Sequence, residues 1–382
     1  MDEVESPEPR AIRTPAAQLT AWLELFYDLV FVAAILVLSS AVSHLHDPGR
    51  VAWVVTVFAS LWWVWLQTTL FTNRYRVDDM VHRILVLVQM FLVILVAMEA
   101  HEGVIRDGSY LSLTYAALIT TVVLMYARRA RAHVPGTAYA TRRAYYLGAS
   151  AAIFLAAEAV PGARGAIWAV AIAVGMGPLG AHDDAPALDE RHLLERMGAL
   201  TIIVCGEAFV KVAIAVSAGS VEDVDVISLA FEFILAFAIW LAYFQDIPFA
   251  GLRRNRLTGW VGCHLLLQLG IAGTAIGVAR LVKAEPLEHL PATDILDITA
   301  TLAAVYLALA LLGLCTRRAP SRPTLVLRVA TCVATLIVGT LAWAVPWVDL
   351  VEGVAALTLV AVVHAALSVR LNGRTRVVEQ PA

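Results

Sequence analysis

Apolar residues fill this chain in long blocks, and short polar stretches punctuate them. A helix that crosses a bilayer needs about 20 mostly apolar residues. Twelve blocks approach or exceed that length, at roughly 21–44, 51–71, 81–100, 109–127, 144–160, 166–180, 190–217, 224–248, 258–283, 292–316, 324–345 and 347–369. The pattern predicts an all-α polytopic membrane protein with about twelve transmembrane helices. The fifth and sixth blocks are short, and VPGARG between them, Val160 to Gly165, predicts a tight turn.

Six blocks end near Ala181, and the polar stretch HDDAPALDERH leads into six more. Similar segments recur in the same order in each set. LELFYDLVF from Leu23 has a counterpart in LERMGALTI from Leu194, and WWVWLQ from Trp62 has one in IWLAYFQ from Ile239. Basic loops follow, NRYR from Asn73 and RRNR from Arg253, and His82 and His264 then mark each third block. Six is even, so two such units run in the same direction, as parallel repeats do in some transporters. The expected organisation is a tail at 1–17, two six-helix halves at 18–181 and 182–370, and a tail at 371–382. The acidic, proline-bearing segment 1–17 reads as disordered, and no cleavable signal peptide is visible.

Composition agrees with the pattern. Hydrophobic residues make up 60% of the 382 and charged residues 15%, with a mean hydropathy of +0.76. Soluble domains are nearer half and a quarter. A net charge of −3 offers no basic surface for nucleic acid. If both termini are cytoplasmic, the tails and even-numbered loops hold 21 of the 28 Lys and Arg, and the opposite side holds five. Lys211 and Arg328 lie inside spans. That bias follows the positive-inside rule. Trp22, Trp53, Trp168, Trp343 and Trp347 fall near span ends, where interfacial anchoring is expected, whereas Trp62, Trp63 and Trp65 lie deep and read as packing or lining.

Chemistry motifs are sparse. The four cysteines fall in apolar runs without CxxC spacing and read as buried hydrophobes. HExxH, a Walker loop, GxGxxG and GxSxG are absent. No enzyme, cofactor or metal site is expected, and the expected partners are the lipid bilayer and a small cation or proton.

Ionisable groups inside the bilayer are costly, so each one is a candidate site. Glu24 and Asp28 stand four residues apart on one helix face, and Ser39 falls within about 20° of Asp28 on the same wheel. The pair reads either as a helix-end contact with a loop arginine or as a cation or proton entrance. Glu207 lies near the middle of the seventh block, with Lys211 one turn on in the favourable order for an intrahelical pair. A partly hydrated Glu207 would instead load and release protons. Gly206 beside it reads as a place where another backbone comes close. DERHLLERM, with Glu190, Arg191, His192, Glu195 and Arg196, reads as a solvated, self-paired helix start. The loop with Asn73, Arg74, Arg76, Asp78, Asp79, His82 and Arg83 reads as a salt-bridged lock between the second and third spans. Lesser candidates are Glu158, Glu232 and His364, the last as a hydrogen-bonded packing histidine.

Three stretches together carry a family resemblance. LELFYDLVFVAAI at 23–35, NRYRVDDMVHRILVLVQM at 73–90 and HLLERMGALTIIVCGEA at 192–208 resemble the signature blocks of the bacterial low-temperature-requirement A proteins. The matching positions are Glu24, Asp28, Asn73, Arg74, Asp78, Asp79, Arg83, His192, Glu195, Arg196, Gly198, Gly206 and Glu207. Lys211 is not part of that pattern. The resemblance implies a multi-pass protein of the bacterial inner membrane, linked to growth in the cold, and supplies no substrate. The expected pathway residues are Glu24, Asp28, Glu207 and Lys211. The expected activity is transport or channelling of a small cation or a proton-coupled solute. A non-transporting stress sensor or scaffold is the second reading. A lipid-acting intramembrane enzyme is the third, and it needs the acids clustered at one depth.

Overall fold

The computed structural model describes residues 15–41, 48–105, 110–132, 134–177, 184–218, 226–245, 247, 250–283, 293–345 and 347–378. Among these the chain is helical, with short 3-10 turns, no strand and one isolated backbone bridge between Leu252 and Thr316. The helices are α1 (Pro15–Ser40), α2 (Pro48–Tyr75), α3 (Met80–Ile105), α4 (Leu111–Arg131), α5 (Thr137–Ala156), α6 (Arg164–Met176), α7 (Glu190–Ala218), α8 (Val226–Phe244), α9 (Leu257–Lys283), α10 (Thr293–Cys315), α11 (Arg322–Ala344) and α12 (Leu350–Val378). Eight of them, α1 to α4 and α9 to α12, are long and apolar enough to cross a membrane. The 13-residue α6 is about 20 Å long, short of a typical hydrocarbon core. The turn expected at Val160 to Gly165 is present as two 3-10 turns, Ala157–Ala159 and Pro161–Ala163.

Local chemistry sets several helix starts. Asp79 accepts from the His82 backbone N–H at 2.8 Å and caps α3. Asp189 does the same for α7 through His192, at 3.1 Å. Ser321 caps α11 through Thr324, at 3.2 Å. Glu158, one of the lesser candidates, accepts from the Ser112 and Leu113 N–H groups at 2.8 and 3.1 Å, so it anchors the start of α4.

Among α1 to α6, α2 is the central helix, buried without a break from Ser60 to Asn73. Trp62, Trp63 and Trp65 therefore serve packing, as expected. Trp168 departs from expectation. It is fully buried and stacks near Trp53, Tyr115 and Phe154 instead of facing an interface. Trp22 and Trp347 are exposed, at 68% and 83%.

In the second half small residues bring backbones together, as membrane helices require when lipid offers no hydrophobic drive. A Cβ on Gly273 of α9 would stand 2.4 Å from Thr301 of α10, and one on Gly277 would stand 2.4 Å from Ile298. Gly339 of α11 is tighter still, with Thr299 Oγ1 1.8 Å from a Cβ there. His364 of α12 meets Thr331 at 2.8 Å and is a hydrogen-bonded packing residue, as the sequence suggested.

Candidate functional site: the polar seam between α1 and α7

Three contacts join α1 to α7, and all three link residues 168 apart: Glu24 with His192, Asp28 with Arg196, and Ser39 with Glu207. A constant offset means that the two helices run parallel and in register. Ser39 and Asp28 share the face that the helical wheel gave them.

Asp28 is fully buried and accepts three hydrogen bonds. Arg196 donates Nη1 to Oδ2 at 2.6 Å and Nη2 to Oδ1 at 2.7 Å. Trp65 of α2 donates Nε1–H to Oδ1 at 2.7 Å. The Arg196 guanidinium also lies 5.6 Å from the Trp65 ring centroid. The arginine sits on a helix, not on a loop as the helix-end reading supposed. A bidentate fork with a third donor is what a buried carboxylate needs to stay ionised.

One turn towards the α1 start, Glu24 meets His192. Backbone geometry fixes the proton positions here. Asn73 accepts from the Asp189 N–H at 2.9 Å and donates to the Asp189 carbonyl at 2.7 Å, so its amide cannot be turned over without losing both bonds. Its nitrogen then faces His192 Nδ1 at 3.2 Å, which makes that atom the acceptor. In the neutral ring the proton therefore sits on Nε2 and is donated to Glu24 Oε2 at 3.0 Å.

The rest of the α2–α3 loop extends this end of the bundle. Arg74 donates to the Pro186 carbonyl at 2.6 Å and Arg76 pairs with Asp189 at 2.5 Å, so both reach the second half. Arg76 takes the left-handed conformation, φ 45°, directly after α2, which turns the chain out of the helix. Arg83 in the first turn of α3 pairs back with Asp78 of the loop, at 2.7 Å. Asp79 pairs with Arg128 of α4 at 3.0 Å. The lock thus ties α3 to α4, and α2 to the segment before α7, more than it ties α2 to α3. The Arg128 hydrogen bonds, helped by the His82 N–H, hold the Asp79 carboxyl below the usual range against the opposing effect of burial. Burial also pushes Asp189 up, but the His192 N–H and Arg76 outweigh it and hold that carboxyl low.

The start of α7 is only partly self-paired. Arg191 and Glu195 meet on the exposed face at 2.9 Å, whereas His192 and Arg196 turn inward to α1. Glu207 is also buried, and Ser39 donates to its Oε1 at 2.7 Å. It therefore stands level with the far end of α1, about 16 Å of helix rise from the Asp28 pair. Asp28 and Glu207 do not meet. The side chain of Lys211 lies outside the described residues. Gly206 does not serve a close approach, since a Cβ there would have nothing within 4 Å.

Beyond Ser39 a cavity of about 320 Å³ lies between α1 and α2 on one side and α9 and α10 on the other. Ser39 lines it and also holds Glu207. Its walls are almost wholly apolar, with Arg280 and Asp297 at one end. Arg280 pairs with the buried Asp294 at 2.7 Å and lies 3.4 Å from Asp297.

Sequence reading missed several of these groups. Arg143 counted as a loop charge, yet it is fully buried in α5, donating to Gln67 and, at 3.0 Å, to the Gly175 carbonyl. Arg328 in α11, which the sequence already placed inside a span, is likewise buried and donates to the Leu309 carbonyl at 3.1 Å. Each is the seventh residue of its helix, counted from Thr137 and Arg322, a recurrence that helix boundaries alone reveal. The donor role of Trp65 had no signal beyond its depth in the block.

An uncharacterised protein of Rhizobium meliloti (strain 1021) is 27% identical over 235 residues, 58% of this chain and 58% of that protein. The chain thus spans little more than half of that relative's length. The profile described as bacterial low temperature requirement A protein matches residues 20–367, from just before the Glu24–Asp28 turn to the middle of α12. With its apolar helices and its α1–α7 seam inside that span, this membrane protein belongs to the bacterial low temperature requirement A family.

Proposed function

We propose that this protein is a transporter of the inner membrane that couples a solute to proton movement, rather than an enzyme. It would cross the membrane twelve times, with both termini cytoplasmic and two parallel six-helix halves. The parallel register of α1 and α7 supports such halves, and so do the buried arginines at matching positions of α5 and α11. The charge bias of the loops supports the orientation.

One observation carries the transport reading. Ser39 lines the cavity and also hydrogen-bonds the buried carboxyl of Glu207. Solute occupancy and the state of that carboxyl thereby share one side chain. The ion-paired seam seals the opposite, cytoplasmic end, with Asp28 and Arg196 as the gate between halves. Alternating access would need the seam to open.

The test is flux in liposomes under imposed proton, potassium and sodium gradients, wild type beside Glu207→Gln. Proton-linked flux that the substitution abolishes, with folding intact, is the expected result. Flux that survives unchanged would remove Glu207 from the pathway. The scaffold or sensor reading keeps one specific observation, that Asp28 is already satisfied by three hydrogen bonds and needs no ligand. Absence of flux under every gradient would favour it. A lipid-acting enzyme has less support, since Asp28 and Glu207 are about 16 Å apart along the helices.

A further inference from the structure

The cavity between the halves has a shape and polarity that narrow its occupant. Along α9 its lining runs from Leu266 to Arg280, about 21 Å of helix rise. Along α2 and α10 the lining is shorter, Val51 to Phe58 and Asp297 to Ala304, about 10 Å each, so the space is drawn out along α9. Val55, Phe58, Leu269 and Ile276 represent its walls. A bare cation deep in such a slot would lose its hydration and meet few oxygen ligands, since Ser39, Asp297 and Thr301 are the oxygen-bearing side chains of the lining, and that exchange is unfavourable. The slot therefore suits a chain of carbons.

Its end has a different chemistry. Arg280 is 9% exposed and points its guanidinium at the buried Asp294, its nearer partner. Asp297 is different. It lines the slot, is 59% exposed, and is 3.4 Å from a guanidinium nitrogen that bonds Asp294 at 2.7 Å. A carboxylate held loosely at the mouth of an apolar slot complements a positive head on an apolar tail.

We propose that this slot binds a single-chain amphiphile with an amine or quaternary ammonium head, its tail between α2 and α9 and its head on Asp297. This deepens the transport reading by naming the class of solute. It also rests on that reading for its functional meaning, though the binding itself does not.

The test uses full-length protein in phosphatidylcholine nanodiscs. The probe is a dodecyltrimethylammonium analogue with a photoreactive diazirine in the tail, and matched probes carry a hydroxyl or a sulfate head. The expected result is crosslinking to Val51, Val55, Leu266 or Ile276 by the ammonium probe in preference to the other two. Asp297→Asn should weaken its half-saturation about tenfold. Asp297 is exposed, so this change abandons no buried charge and leaves the fold in place. Ala304→Phe, which fills the slot, should abolish crosslinking there. Equal labelling by all three heads, unaffected by Asp297→Asn, would overturn the proposal. So would labelling confined to outward-facing Val326 and Ile337 of α11. Crosslinking in the slot without any flux in liposomes would keep this site and sink the transport reading. Proton-linked flux without crosslinking would do the reverse.

Discussion

Asp28 of α1 and Arg196 of α7 face each other across a fully buried, bidentate ion pair, in the same register that joins Glu24 to His192 and Ser39 to Glu207. Two charges at this depth are tolerated because each neutralises the other and Trp65 supplies a further donor. The pair contributes less to net stability than to fixing which residues of α1 and α7 lie opposite one another.

That makes the single and double substitutions unequal. Asp28→Asn leaves the Arg196 guanidinium buried without its counter-charge and should cost about 3–5 kcal/mol. Combining it with Arg196→Met removes both charges and keeps an acceptor for Trp65, so most of the loss should return. Thermal unfolding in detergent of the single and double variants measures the difference. Equal loss in both would mean that the pair is not coupled.

The far contact should matter less. Ser39→Ala takes a hydrogen bond from a buried carboxyl, and bonds to charged groups are worth about 1.5–3 kcal/mol. A drop at the lower end of that range is expected, read by the same unfolding assay. No change would indicate that Ser39 and Glu207 are not bonded in the membrane.

Glycines separate into two kinds. Gly339→Ala would drive a methyl into Thr299, and overpacking of this sort costs about 1–3 kcal/mol. Gly206→Ala meets open space and should be neutral, or stabilising by about 0.5–1 kcal/mol through helix propensity. Melting temperatures of the two variants should move in opposite directions or differ clearly.

Acid should loosen the polar end first. Asp79 and Asp189 both hold carboxyls below their ordinary value of 3.8. The unfolded chain therefore takes up protons before the folded one does. Their contribution is complete above about pH 4 and is lost as pH falls below the unfolded value and through the folded one. Asp189→Asn should flatten this acid limb and fray the start of α7. Hydrogen exchange at His192 and Leu193, followed between pH 5 and pH 3, is the measurement. An acid limb identical to wild type would rule the contribution out.

Much of the helix plan was legible because a bilayer demands long apolar runs, and a run leaves its mark in the order of residues. Helix positions near those expected follow for α2 to α4 and α7 to α12. The α5 start was misjudged, because Arg142 and Arg143 looked too polar for a helix inside the bundle. Burial of Arg143 is made acceptable by Gln67 of α2 and a carbonyl of α6, which no local pattern announces. The seam residues were legible one by one as motif positions. Their pairing was not, since a loop arginine and Arg196 are equally good partners for Asp28 on paper.

The sequence by itself determined an all-helical chain with apolar helices and the single face of α1 that carries Glu24, Asp28 and Ser39. These follow from spacing and composition, which are local. Only the tertiary structure decided that this face meets α7 in parallel register, that Glu207 lies about 16 Å of helix rise from Asp28, and that Ser39 joins it to an apolar slot. Those depend on which helix packs beside which, and close packing of distant segments is settled by the whole set of competing contacts, so no stretch of sequence contains it.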